Sequence, residues 1–182
     1  MTEATTTPPT PAPPATTEAA PTGEGAVRTV RATCLGCVTG ECDRLEAAHA
    51  AGTLRAHGGW TAGQNLWHVG RFMSFSIDGF PFNPPLPIRM IGRLLKRGAL
   101  SDRPMPTGIR LDRGGLDALI PPAETSFEEG MAELRAPLRR IEDGERFTQP
   151  SPLFGPLTHD QWVRLHAKHF AHHAAFLSYP DA

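Results

Sequence analysis

Eight histidines and three cysteines carry most of the chemistry open to this chain. His169 and His173 are four residues apart in the run Lys168-His169-Phe170-Ala171-His172-His173. On a helix that spacing stacks two side chains on one face, where both imidazoles can chelate one metal ion. Two ligands make a weak site. His68 lies mid-way along a second stretch that is apolar on nearly every side, and a third imidazole from there would complete the set. Three imidazoles leave a position open for water or substrate, as a catalytic metal requires. The predicted ligands are therefore His68, His169 and His173. A single histidine on a core face is ordinarily a hydrogen-bonded core residue, and His49, His57 and His159 are read that way or as surface groups. Three imidazoles packed together are different, because without a metal their buried nitrogens need other partners. His166 shares the same seam one turn earlier and His172 points to its flank. Each is open as a fourth ligand, a group behind a ligand or a general base, and neither enters the predicted set.

Cys34, Cys37 and Cys42 follow the spacing C-x2-C-x4-C. An odd count without an export signal argues against a disulfide framework. A closed zinc site needs a fourth ligand, and His49 is the one within reach. A redox Cys34–Cys37 pair is a further alternative, but nothing beside it resembles a thioredoxin-like βαβ unit. Free thiols near a helix start are the preferred reading. A di-iron bundle needs two Glu-x-x-His motifs; only Glu46-Ala-Ala-His49 fits. There is no His-Glu-x-x-His, no Gly-x-Ser-x-Gly and no phosphate-binding glycine loop.

The elements that must position these residues read as helices. Glu41 to about Gly52 is a short one, with Leu45 and Ala48 inward. Thr61-Ala-Gly-Gln64 is a capping box that opens a helix to Asp78, and Gly79 with the prolines beyond it ends that helix. Gln64 could orient a ligand, but capping already explains it. Leu66, Val69, Met73 and Ile77 form one apolar stripe, and His68, Phe72 and Phe75 an adjoining one. Ile88 to Arg97 is a short amphipathic helix, read with Ile88, Ile91 and Leu95 inward and four basic residues in solvent. Residues 98–124 receive no regular structure, and a loop that long is usually functional or mobile. Ser126-Phe-Glu-Glu129 caps a helix whose seam is Phe127, Met131, Leu134, Leu138 and Ile141, with a kink expected at Pro137. Thr158-His-Asp-Gln161 caps the last helix, which is expected to reach about Leu177. Its seam, Trp162, His166, His169, His173 and Phe176 or Leu177, is mostly histidine where Leu and Ile would be ordinary. The fold class is all-α, a four-helix bundle joined partly by long crossovers.

Composition bounds the function. The chain has 182 residues, 18 Lys+Arg against 19 Asp+Glu, and 40% hydrophobic residues. That suits one soluble domain. The balance offers no footprint for nucleic acid and no polybasic membrane anchor, and no apolar run approaches the ~20 residues of a membrane-spanning helix. Residues 1–25 hold eight Thr, six Pro, five Ala and three Glu, with no Leu, Ile, Val or aromatic residue. Such a segment cannot bury enough apolar surface to order itself and is read as a disordered tail. It lacks the basic start and apolar stretch of a secretory signal, so a cytoplasmic location is expected. Residues 26–182 are read as the folded domain.

Three blocks together resemble the DinB-like superfamily: Trp60-Thr-Ala-Gly-Gln64-Asn-Leu-Trp-His68, the Asp78-Gly79-Phe80-Pro81 helix end, and Phe154-Gly155-Pro-Leu157-Thr158-His-Asp-Gln161-Trp162 leading to His169 and His172-His173. Within that superfamily they are most similar to a branch known only as a domain of unknown function. The resemblance spans roughly residues 27–178. It implies a four-helix bundle, often dimeric, holding a divalent metal, commonly zinc or nickel, on three histidines that match His68, His169 and His173. Some relatives are transferases or isomerases using low-molecular-weight thiols. The branch often shows a His where this chain has Ser151, and the cysteine cluster is not a family hallmark. The expected function is a metal-dependent transferase or hydrolase acting on a small electrophile, with a thiol as candidate cosubstrate. The alternatives are a non-enzymatic metal-binding or stress-response scaffold, and an interaction module whose histidines are vestigial. The expected partners are a small-molecule substrate and a second copy of the chain, with neither nucleic acid nor membrane.

Overall fold

A computed structural model describes residues 28–101, 105 and 116–180. The tail at 1–25 and residues 102–104 and 106–115 of the long connection lie outside the described residues. Among the described residues there are five α-helices: α1 (Leu35–Ala50), α2 (Ala62–Asp78), α3 (Leu86–Ala99), α4 (Phe127–Glu142) and α5 (His159–Ala174). A short antiparallel pair, β1 (Arg55–Ala56) with β2 (Leu177–Ser178), joins the turn after α1 to the chain beyond α5. The protein is mostly helical, as the sequence pattern indicates, and this short pair is an addition to the helices. It forms because the chain leaves α5 three residues before the expected end, so Leu177 is buried in a ladder and not on a helix seam.

All three predicted capping boxes are formed. The hydroxyls of Thr61, Ser126 and Thr158 accept the backbone N–H groups of Gln64, Glu129 and Gln161, and each of those side chains accepts the cap residue's own N–H. These caps satisfy donors that the helix cannot. They fix where α2, α4 and α5 begin. α1 begins earlier than the sequence pattern indicates. Its cap is Cys34, whose sulfur accepts the Cys37 N–H at 3.1 Å. Sulfur is a weak acceptor outside the usual set of capping groups, which is why the pattern pointed only to Glu41.

α2 and α4 lie side by side and run in the same direction. Gly63 faces Ser126, Gly70 faces Glu133 and Leu134, and Asp78 is paired with Arg140. A Cβ added at Gly70 would meet the Glu133 carbonyl at 2.5 Å, so the two backbones touch where a side chain would separate them. Pro137 has no N–H to offer the Glu133 carbonyl four residues back, and α2 packs against that part of α4. α5 runs antiparallel to α2, pairing Asn65 with His173 and Ser76 with His166. α1 runs antiparallel to α4, with Thr39 bonded to Glu142, His49 to Glu128, and Arg135 to Asp43 and Glu46 between them. Leu45, Cys42, Leu66, Val69, Met73, Leu134 and Trp162 fill the core between them.

α3 corrects a second expectation. Its apolar face does not turn inward: Ile88, Ile91 and Leu95 are exposed, and so are Leu86, Met90 and Leu94, the last at 83%. Only Gly92 is buried, held against the Leu153 backbone, while Lys96 donates to the Pro156 carbonyl. The amphipathic pattern is real, but its partnered side is the narrow one. Denaturant unfolding tests this arrangement. Gly70→Ala is expected to lower stability by about 1–3 kcal/mol through overpacking. Leu94→Ser should leave stability within about 0.5 kcal/mol, as an exposed position does.

Candidate metal centre

The first half of α2 and the last turns of α5 meet at three imidazoles. His68 and His169 are buried and His173 nearly so, and one ring nitrogen from each lies within 4.8 Å of the others. The ring centroids of the three pairs are 4.8–5.0 Å apart. Among the described residues these are the histidines, cysteines and carboxylates that come together as a group able to hold a metal ion.

The hydrogen bonds around the rings fix which nitrogen is free. His68 Nδ1 lies 2.7 Å from the Leu119 carbonyl, which can only accept. That nitrogen therefore carries the proton, and Nε2 presents a lone pair. Asn65 donates its amide to the Thr61 carbonyl at 2.9 Å. Its oxygen thus faces His173 Nδ1, also at 2.9 Å, and the same tautomer follows. Such partners behind a ligand orient it and raise its basicity. His68 Nε2 then stands 3.2 Å from His169 Nε2. His169 Nδ1 is buried and has no partner among the described residues. Either two lone pairs oppose each other or His169 leaves a buried nitrogen unmatched. A shared cation removes the opposition, so the residues fit a divalent ion.

Burial keeps the rings neutral. It pushes the His68 pKa down to about 4. Burial, then the neighbouring imidazoles, holds His169 and His173 well below the ordinary histidine value. At neutral pH the proton does not compete for the lone pairs.

The rings form one wall of a cavity of about 440 Å³. Trp60, Phe72, Phe82, Leu119, Phe154 and Phe176 supply much of the rest, so the space is apolar with a polar spot at the imidazoles. Trp60 stacks on His173 with planes 14° apart. His172 also lines the cavity and is half-buried, its pKa lowered by burial.

The remaining candidates fall elsewhere. His166 is fully buried, bonded to the Ser76 hydroxyl at 2.7 Å and stacked on Trp162, and it does not join the cluster. Gln64 closes its capping box and donates to the Pro122 and Ala123 carbonyls, a structural role. Ser151 lines the cavity while its hydroxyl accepts the Phe154 N–H. His49 pairs with Glu128, His57 with the Ser178 hydroxyl, and His159 accepts the Phe147 N–H. The cysteine–His49 zinc alternative is not formed. Cys34 and Cys37 are joined as a disulfide and Cys42 is buried, which also corrects the free-thiol reading for the first two. Sequence reasoning missed Asn65 and the Leu119 carbonyl. Asn65 carried a signal, a buried-side polar residue three before His68; a backbone carbonyl from a distant turn carries none.

These features define a mostly helical protein with a buried three-histidine cluster able to hold a metal ion at the wall of an apolar cavity. The chain belongs to the family described as protein of unknown function (DUF1569), whose model matches residues 28–179. No curated protein and no solved structure matched.

Acid stability offers a check on the core beneath the site. His166 is neutral in the fold, with its pKa pushed by burial to about 3, and unfolding returns it to about 6.5. Between those values the unfolded chain binds the extra proton, so stability falls as pH drops from 6.5. One such group contributes a slope of up to about 1.4 kcal/mol per pH unit. His166→Gln is expected to flatten the acid limb of a stability–pH profile measured by urea unfolding.

Proposed function

We propose that the protein is a divalent-metal-dependent enzyme of DinB-like type, a four-helix bundle of α1, α2, α4 and α5, with His68, His169 and His173 as the ligands. The observation that carries this reading is the convergence of three neutral imidazoles, two with their outer nitrogens already committed, on one wall of an apolar cavity. Zinc and nickel suit an all-imidazole set. A bound ion supplies Lewis acidity, polarising an electrophile or lowering the pKa of water or a thiol.

The chain's own residues define the rest. Leu119 and Asn65 hold two of the rings in the binding tautomer. Trp60, Phe72 and Phe154 exclude water and accept an apolar substrate body. The ligand set has no carboxylate, so two positive charges would stand uncompensated in apolar surroundings, and such a site favours an anionic group in the open position. A thiolate cosubstrate meets that demand, and the reaction is transfer to, or hydrolysis of, a small electrophile. His172, on the same cavity wall, is the group available to accept the proton. The near-neutral chain favours a small-molecule substrate over nucleic acid or membrane, and the reading places the protein in the cytoplasm. The exposed apolar side of α3 supports a homodimer, since six large side chains there gain from a second copy. No helix among the described residues is long and apolar enough to cross a membrane.

Elemental analysis of untagged protein tests the centre. About one zinc or nickel per chain is expected, lost in His169→Gln with His173→Gln while far-UV circular dichroism is retained. Metal retained in that variant, or none in the parent, overturns the assignment. Asn65→Ala is expected to weaken metal affinity by about 10–100-fold without changing saturating stoichiometry, measured by competition with a chromogenic chelator. Turnover on a panel of aryl and alkyl electrophiles with thiols should vanish with chelator; metal without turnover favours a scaffold.

A further inference from the structure

The second chemical group in this chain stands apart from the histidines. Cys34 and Cys37 cap and open α1 and are joined as a disulfide. The Thr39 hydroxyl a turn later bonds Glu142 at the end of α4. Arg140 on that last turn of α4 is paired with Asp78, where α2 ends. The histidine cluster is near the start of α2, and neither cysteine lines its cavity.

We propose that Cys34 and Cys37 form a redox-active dithiol that exchanges with low-molecular-weight disulfides, with Cys34 as the attacking thiol and Cys37 as the resolving one. Four observations carry the roles. The two Cα atoms are 5.3 Å apart within one helical turn, so a disulfide closes there without moving the fold. Cys34 is exposed and Cys37 is half-buried, so only the first meets a bulky disulfide directly. The Cys37 backbone N–H points at the Cys34 sulfur at 3.1 Å, and the first turn of α1 has no acidic side chain, so a thiolate on Cys34 gains a hydrogen bond and meets no like charge there. The third cysteine cannot interfere. Cys42 lies fully buried in the core, where burial raises its thiol to about 12.

The step balances as ordinary exchange. The Cys34 thiolate attacks one sulfur of R–S–S–R, forming a Cys34–S–S–R mixed disulfide and releasing one thiolate. Cys37 gives its proton to solvent and attacks the Cys34 sulfur, forming the Cys34–Cys37 bond and expelling the second thiolate. Two electrons pass to R–S–S–R, which leaves as two thiols, and the reverse sequence reduces the protein.

Oxidised and reduced glutathione serve as the probe, used on the full chain with its metal content recorded. Intact-mass analysis of reduced protein is expected to show loss of two hydrogens on adding oxidised glutathione and their return with excess reduced glutathione. Cys37→Ser should trap a glutathione adduct on Cys34. Cys34 in that variant should react with iodoacetamide at pH 7 about tenfold faster than Cys37 does in Cys34→Ser. Cys42→Ala is expected to leave the exchange unchanged; should it fold poorly, peptide mapping of the parent identifies the bonded pair directly. Three results overturn the proposal: a pair that never closes, a pair that closes but resists excess glutathione as a structural staple does, or equal alkylation rates at the two sulfurs. None depends on the histidine centre, whose loss is read by metal content alone.

Discussion

His68 Nε2 and His169 Nε2 face each other across 3.2 Å in surroundings that exclude water. Much else in this fold follows from keeping that confrontation in place. Imidazoles left to themselves turn their nitrogens toward solvent. Here Leu119 and Asn65 take the outer nitrogens of His68 and His173, and Trp60 lies flat against the latter. Each partner leaves its ring one useful lone pair aimed inward. Burial then keeps the proton away, because a charged ring would lose its hydration with nothing to replace it.

Such an arrangement needs stiff supports. The α2–α4 contact supplies one: with glycines at the touching points the helices meet backbone to backbone, and a sliding motion would force Ser126 and Glu133 carbonyls into Gly63 and Gly70. α2 is thereby fixed along its length, and His68 with it. α5 is fixed at its start by its capping box and at mid-length by the His166–Ser76 bond, one turn before His169. His166 thus resembles a ligand in sequence and serves as a pin in space. A seam that reads as three equivalent histidine positions is divided by its neighbours into a pair able to join His68 in holding a metal ion and a structural residue.

That division shows what the sequence could carry. Local chemistry was legible: three capping boxes announced three helix starts, and the four-residue interval placed His169 and His173 on one face. Joining His68 to them required only that α2 and α5 be neighbours. Three features were not legible, each for a physical reason. Cys34 caps with a sulfur, so α1 appeared to start at Glu41. α3 has a strong apolar face, but periodicity says that a face exists and not which side is covered, and the inward assignment of Ile88, Ile91 and Leu95 failed. The Leu119 carbonyl comes from a 3-10 turn at Asp117–Leu119, far along the chain from α2. Backbone groups brought in over 51 residues leave no trace in side-chain pattern.

The two chemistries also differ in what surrounds them. At the histidines, burial removes water and makes the lone pairs available to a cation. At Cys34, exposure admits a reactant, and a single peptide N–H with no acidic side chain in the first turn favours the thiolate. Cys42 is the control that nature supplies within the same helix: eight residues beyond Cys34, the same thiol is sealed among Val38 and Leu45 and cannot ionise near neutrality. The difference between an inert sulfur and a reactive one is therefore position along α1. The same logic separates His166, sealed and bonded, from His172, half-open to the cavity. In each pair the residue type is shared, and solvent access with the nearest donor decides the role.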